Sequence, residues 1–501
     1  MLKTLEQVIR NGVGTFMQDA FDLVIIGSGP AGRRAAIQAA KLDKRVLVVE
    51  KSKRVGGVSV HSGTIPSKTL RETVLNLSGW RERGFYGRTY KVKNDITADD
   101  LKHRLSQTLN HEVDVLEHQF SRNGVTLITG HARFLSRAEI EIEQPNGHRV
   151  TYGFDKALIS VGTKPYRPDT IPFDGKHILD SDEILNIPAL PRSLTVIGAG
   201  VIGMEYATIF SALDISVTVI EPRAHILSFI DDELIAEFTH ELRDRGMKLR
   251  LGCRAEKVSR EGAHCLVDLS DGRRVKSEMV LYAAGRVGAS LDLGLDALGL
   301  SPDSRGRLKI DPESFETEVP GIYAAGDIIG FPSLASTSME QGRIAVCHAF
   351  HVKNPPKPEH FPYGIYAVPE ISTIGYSERE LREKRIPYET GVARFRETSR
   401  GHIMGLQRGM LKMLFHLETQ KILGVHIVGE GATELIHIGQ AALVLDGTLT
   451  YFIDNVFNYP TLAEAYKIAA LDAWNRIALH KPKADEETDA AAGTALSVVN
   501  G

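Results

Sequence analysis

The chain has 501 residues, 43% of them hydrophobic and 25% charged, with a formal net charge of -3. At roughly 150 residues per domain this length calls for about three domains, and the composition is that of a soluble globular protein. The weak charge offers no basic field for nucleic acid, and no apolar run approaches the ~18 residues needed to cross a bilayer.

Residues 1–20 carry Glu6, Arg10 and Asp19 and lack the apolar core of a secretory signal. They read as an extension, a short amphipathic helix, and the predicted location is cytoplasmic. Cys253, Cys265 and Cys347 show neither CxxC nor metal-ligand spacing. They read as buried thiols in a reducing compartment, and no metal site is predicted.

Phe21–Ile26 is a short apolar run that ends at glycine, the pattern of a buried parallel strand. Gly27, Gly29 and Gly32 follow, then a helix to Ala40, a second strand and the acidic Glu50. This is a dinucleotide fingerprint in its required context. The first glycine permits the turn, the second admits a pyrophosphate, the third lets helix and strand pack, and the acid can bond a ribose hydroxyl.

Gly56 to Lys68 comes next, with a helix predicted from Pro66, a residue suited to a first helical turn. A helical stretch to Arg122, a strand at Val125–Ile128, shorter strands from Gly130, and Gly162 lead to a Pro-containing connector, residues 165–191. The fingerprint then repeats as Gly198, Gly200, Gly203 and Glu221, with the same spacing from glycine to acid. One chain therefore carries two dinucleotide-binding units.

Val280–Gly288 returns the chain to the first unit, and a buried strand ends at Gly326-Asp327, where a carboxylate can bond a ligand hydroxyl. The third section mixes strands (Ile365–Val368, Ile371–Ile374, Met410–Phe415, Leu423–Val428) with helices at Glu378–Lys384 and Thr433–Leu445. The small polar residues from Lys481 onward read as a disordered tail.

From about Phe21 to His480 the chain resembles the two-domain flavoprotein disulfide reductases. In that superfamily two cysteines separated by four residues precede Ile-Pro-Ser-Lys; here those positions hold Ser59 and Thr64, before Ile65-Pro66-Ser67-Lys68. A hydroxyl pair cannot form a disulfide. The strings His61–Lys68 and Phe457–Tyr466 are similar to the superfamily's transhydrogenase branch, from which Ser59 departs by replacing a cysteine. In the disulfide reductases a histidine and a glutamate from the other subunit handle the thiol's proton. Tyr459 replaces that histidine while Glu464 remains, and a phenol is a poorer general base at neutral pH than an imidazole.

The resemblance implies an α/β fold with two Rossmann-like domains, for FAD and NAD(P), and a C-terminal α+β dimerisation domain. Its boundaries would be an extension at 1–20, FAD-binding segments at 21–165 and 286–350, an NAD(P)-binding domain at 166–285, a dimerisation domain at 351–480 and a tail at 481–501. FAD would be held through Gly27, Gly29, Gly32, Glu50, Gly57, Val58, Ser59, Ala132, Gly162, Asp327 and Ala335. NAD(H) and NADP(H) would bind as substrates through Gly198, Gly200, Gly203, Glu221, Arg223 and Gly285. Lys68, paired with Glu205, would lie beside the flavin, where a fixed positive charge stabilises the reduced ring.

The implied enzyme is an oxidoreductase that moves hydride between NADPH and NAD+ by a ping-pong route, as a homodimer or a larger assembly. Two other readings remain open at this point: an NAD(P)H dehydrogenase reducing quinones, and a non-catalytic flavin-binding sensor or scaffold. Arg223 could offset the repulsion between Glu221 and a 2′-phosphate.

Overall fold

A computed structural model describes residues 18–353 and 358–480 of the protein. The helix expected in residues 1–20 lies outside the described residues up to residue 17, while residues 18–20 are instead the start of the strand Gln18–Ile26; the tail beyond residue 480 also lies outside them.

Two sheets organise the chain, the first parallel at its centre with Glu139–Glu143 and His131–Phe134 added antiparallel at one edge, the second parallel throughout. In the first, Gln18–Ile26 lies between Val46–Glu50 and Arg149–Ile159, with both pairings parallel. Thr126–Thr129 extends one edge, and Ile322–Ala324 joins Arg149–Ile159 from a distant part of the sequence. Val24, Ile25, Leu47 and Val48 are wholly buried, as expected for strands covered on both faces. The helices Pro30–Ala40 and Ala335–Ala349 pack together on one face through Ala31, Ala35, Ile344 and Ala345.

The second sheet runs Lys248–Leu251, Ser216–Glu221, Ser193–Ile197, Met279–Tyr282 and Ile178–Asp180, all parallel. Its order reverses beside Ser193–Ile197, the position at which open α/β sheets bind ligands beyond the strand ends. The connector of residues 165–191 is therefore more than a linker, since Ile178–Asp180 forms an edge of this sheet. Three residues are too few to show a period. The chain passes between the units on two antiparallel strands, Thr163–Pro165 and Arg286–Gly288.

The third section is an antiparallel sheet, in order Tyr363–Ile365, Ile371–Gly375, Ile422–Val428, Met410–His416 and Tyr388–Arg394. The strand expected at 365–368 ends at Ile365. The chain leaves the sheet there because its next polar groups bond elsewhere: Tyr366 N–H to Glu205, Val368 N–H to Thr208, and the Ala367 carbonyl to Arg71. The helix expected from Pro66 begins at Thr64, with Pro66 as its third residue. A missing N–H is tolerated in a first turn. Among the described residues no helix is long and apolar enough to cross a membrane.

Candidate active site

Both glycine turns are built alike. Gly27 and Gly198 take positive φ values of 99° and 105°, in backbone that L side chains rarely adopt. A Cβ on Gly32 would stand 2.0 Å from the Gly27 carbonyl oxygen, and one on Gly203 2.0 Å from that of Gly198. The middle glycines differ from these: a Cβ on Gly29 or Gly200 would meet no protein atom within 4 Å. Each middle glycine thus faces open space at the start of a helix that has no side-chain cap. An uncapped helix start over a bare backbone concavity suits a pyrophosphate, so the residues present fit a dinucleotide in each unit.

The two acids also share a task that the sequence did not disclose. Glu50 accepts hydrogen bonds from Ser28 N–H (3.0 Å) and Ser28 Oγ (2.6 Å), and Glu221 accepts one from Ala199 N–H (2.8 Å). Each acid therefore braces its own glycine turn. Ser28 Oγ in turn accepts from Gly56 N–H at 2.9 Å. A Cβ on Gly57 would stand 3.0 Å from the Gly29 Cα, so the segment carrying Val58 and Ser59 lies hard against the first turn.

The helix Thr64–Leu77 buries Leu70, Val74 and Leu75 in the same core as Met204 and Phe210 of the helix Val201–Ala212. That packing brings Lys68 to Glu205. Lys68 Nζ donates to both carboxylate oxygens at 2.8 Å and lies 4.7 Å from the centre of the Tyr366 ring. Glu205 is also fixed by Tyr366 N–H at 2.9 Å. The charge-assisted pair fixes the Lys68 ammonium in place, and an oriented ammonium can stabilise negative charge that develops directly beside it.

Lys68 and Glu205 line a cleft of about 1170 Å³ that also takes in Val58, Thr64, Asp327 and Ala335. Gly198, Gly200, Glu221, Arg223 and Gly285 line its other end. Asp327 lies 3.4 Å from Thr163 Oγ1, and burial raises its carboxyl above the usual range despite the nearby Arg286. Ser59 turns its hydroxyl to the Gly56 carbonyl at 3.0 Å. Ala132 is buried in the strand His131–Phe134 of the first unit, and Gly162 stands just before the crossing strand Thr163–Pro165.

Tyr459 and Glu464 are not brought to this cleft within one chain. Tyr459 is exposed and bonds Ser399 at 2.6 Å, while Glu464 buries one carboxylate oxygen that has no hydrogen-bond partner among the described residues.

Tyr363 and Arg286, like Tyr366, escaped the sequence reading. Tyr363 lines the cleft, and burial, with Glu205 and Asp327 nearby, pushes its phenol up to about 12. Arg286 holds the Thr163 hydroxyl and carbonyl at 2.9 Å and Asp182 at 3.0 Å, which clamps the crossing strands. No motif marks either residue. Their positions depend on how the third section and the crossing strands pack.

Arg223, expected to be free for a phosphate, is instead bonded to Glu221 through Nε (2.7 Å) and Nη2 (3.2 Å). Burial alone would raise the Glu221 carboxyl. The hydrogen bonds from Arg223 and Ala199 outweigh it and hold the carboxyl below its ordinary range.

Two such turns, with a lysine–glutamate pair in the cleft lined by the second, fit the layout of a nucleotide-dependent oxidoreductase. Residues 21–342 match the family model of pyridine nucleotide-disulphide oxidoreductases, and residues 361–470 match the dimerisation domain of that family. The chain is 48% identical over 458 residues to a soluble pyridine nucleotide transhydrogenase of Mycobacterium tuberculosis, covering 91% of this chain and 98% of that one. It is 40% identical over 461 residues to the enzyme of the same name from Colwellia psychrerythraea, covering 91% and 98%.

Among solved structures, LpdA from Mycobacterium tuberculosis superposes with a TM-score of 0.83 at 27% identity, covering 90% of this chain and 98% of that one. The flavoprotein disulfide reductase RclA from Escherichia coli shares the fold, with a TM-score of 0.81 at 23% identity, covering 93% and 100%. The chain belongs to the pyridine nucleotide-disulphide oxidoreductase family and, within it, to the group of the soluble pyridine nucleotide transhydrogenases.

Proposed function

We propose that this protein moves hydride between NADPH and NAD+, in either direction, with FAD in the first unit and the nicotinamide nucleotides taking turns in the second. One observation carries the reading. The Lys68–Glu205 pair stands in a cleft shared with the second glycine turn, while the disulfide positions hold Ser59 and Thr64. When bound, FAD supplies the chemistry of accepting hydride from one nicotinamide ring and giving it to the next. With no dithiol to receive electrons, the acceptor must itself enter the cleft, and a single nucleotide site then imposes a ping-pong order.

The residues divide the remaining work. Gly27, Gly29 and Gly32 would hold the FAD pyrophosphate, Glu50 its ribose, and Asp327 a hydroxyl of its ribitol. Gly57, Val58, Ser59, Ala132, Gly162 and Ala335 would complete that site. Lys68, oriented by Glu205 and Tyr366, would place a fixed positive charge where the reduced ring gathers electron density. Gly198, Gly200, Gly203, Glu221, Arg223 and Gly285 would hold either nucleotide in line for transfer.

The FAD-binding unit would comprise residues 21–165 and 286–350, the nucleotide-binding unit 166–285, and the dimer-forming section 351–480. Match to the dimerisation model supports a homodimer, with Tyr459 and Glu464 reaching the partner's site. A cytoplasmic location suits nucleotides that are cytoplasmic metabolites.

The test is anaerobic. Stoichiometric NADPH should bleach the flavin absorbance near ~450 nm, and excess NAD+ should restore it with formation of NADH. Bleaching that a quinone reverses and NAD+ does not would replace the transhydrogenase with a dehydrogenase.

A further inference from the structure

The loop after the strand Lys248–Leu251 folds back onto the end of Ser216–Glu221. Gly252 N–H donates to the Arg223 carbonyl at 3.0 Å, and Cys253 N–H to the Glu221 carbonyl at 3.2 Å. Arg254 follows at once. Its main chain is pinned to Ser270 on both sides, by Arg254 N–H to Ser270 Oγ (3.0 Å) and Ser270 N–H to the Arg254 carbonyl (2.9 Å). Its side chain is exposed on the cleft wall and makes no ion pair among the described residues.

Arg223 is committed by comparison. It donates to Glu221 through two nitrogens and to Ser228 Oγ at 3.2 Å. With its own N–H and that of Ala199, these bonds bring four hydrogen bonds to Glu221. Glu221 and Arg223 therefore cancel in charge. Asp271, which accepts from the thiol of the neighbouring Cys253, is held by Arg273. Arg254 is thus a cation on the cleft wall without an ion-pair partner among the described residues.

We propose that Arg254 reads the substituent on the adenosine 2′ position, favouring a 2′-phosphate over a 2′-hydroxyl. This rests on the transhydrogenase reading, in which one site takes both nucleotides. A 2′-phosphate beside Glu221 alone is repelled, and Arg223 only neutralises that acid. Arg254 supplies the net attraction and a planar set of donors that matches phosphate. A neutral hydroxyl draws nothing from that charge.

The experiment measures binding of adenosine 2′,5′-bisphosphate and of 5′-AMP to the flavin-loaded protein by calorimetry, so hydride transfer plays no part. Arg254→Gln should lower the ratio of the two affinities about 10- to 50-fold, and Arg254→Lys should recover part of it. The salt dependence of bisphosphate binding should flatten in Arg254→Gln. A ratio unchanged within about twofold would overturn the proposal. So would an equal loss for both ligands, which would assign Arg254 to the 5′-phosphate they share. These two outcomes, and wild-type protein that binds the two ligands equally, would overturn the proposal and leave the transhydrogenase reading standing; that reading fails in the anaerobic experiment, if NAD+ does not reoxidise the reduced flavin.

Discussion

The two dinucleotide units share one turn and differ in what satisfies the acid behind it. Glu50 is bonded by the Ser28 hydroxyl and by main-chain N–H groups, all neutral donors fixed within the first unit. Glu221 is bonded by Arg223, a long, half-exposed cation on the wall of a wide cleft. The first arrangement suits a ligand that stays. On the proposed function, the second puts an exposed charge where nucleotides would be exchanged and told apart. The same glycine spacing would then serve residence or turnover, according to the neighbours of one carboxylate.

The largest expected effect falls where the units meet. Lys68→Gln should slow flavin reduction by NADPH by about 10²- to 10³-fold in stopped flow while FAD and nucleotide still bind. A loss of nucleotide affinity instead would make Lys68 a binding group.

Next come the close-packed glycines. Gly32→Ala should cut FAD retention, and Gly203→Ala nucleotide affinity, each by about 10- to 100-fold, because the added Cβ meets a carbonyl oxygen. Flavin content and NADPH titration read the two separately. If Gly203→Ala lost its flavin too, the units would not be independent.

Arg223→Ala should weaken NADPH use far more than NADH use, by about tenfold in kcat/KM, since it leaves Glu221 charged beside the phosphate. Equal losses would remove Arg223 from nucleotide choice.

The smallest effect is one of pH. Burial raises the Asp327 carboxyl, so folding favours its neutral form, and that contribution is lost as pH rises through the folded value. Asp327→Asn mimics the neutral form. Deflavinated Asp327→Asn should melt about 2 °C above wild type near pH ~7.5 and lose the advantage near pH ~4. A constant difference by calorimetry would show that the carboxylate is already compensated.

The glycine turns were legible in the sequence because everything that defines them is local: a strand, three glycines and an acid within about one βαβ unit. The helix–strand boundaries near them moved by only a few residues, as with Thr64 for Pro66. Lys68 and Glu205 stand 137 positions apart, and only the family resemblance could pair them in advance. Tyr363, Tyr366 and Arg286 reach the site through the packing of separate elements, which leaves no local pattern. The Ser28 hydroxyl links Glu50 to Gly56, a role that a serine between two glycines does not signal. Arg254 had a faint signal, a cation just beyond a strand end in the second unit, but polar loops are full of such residues.

The paired crossing strands have an engineering consequence. Pro165 and Arg286 are direct partners in the two-stranded ladder, so the chain leaves the first unit and re-enters it at neighbouring points. Covalent connection is confined to that point, but packing is not: Glu205 bonds Lys68, and Met204 and Phe210 share a core with Leu70 and Val74. A graft of the segment from a homologue would therefore have to carry the facing helix Thr64–Leu77 with it to keep the cleft intact.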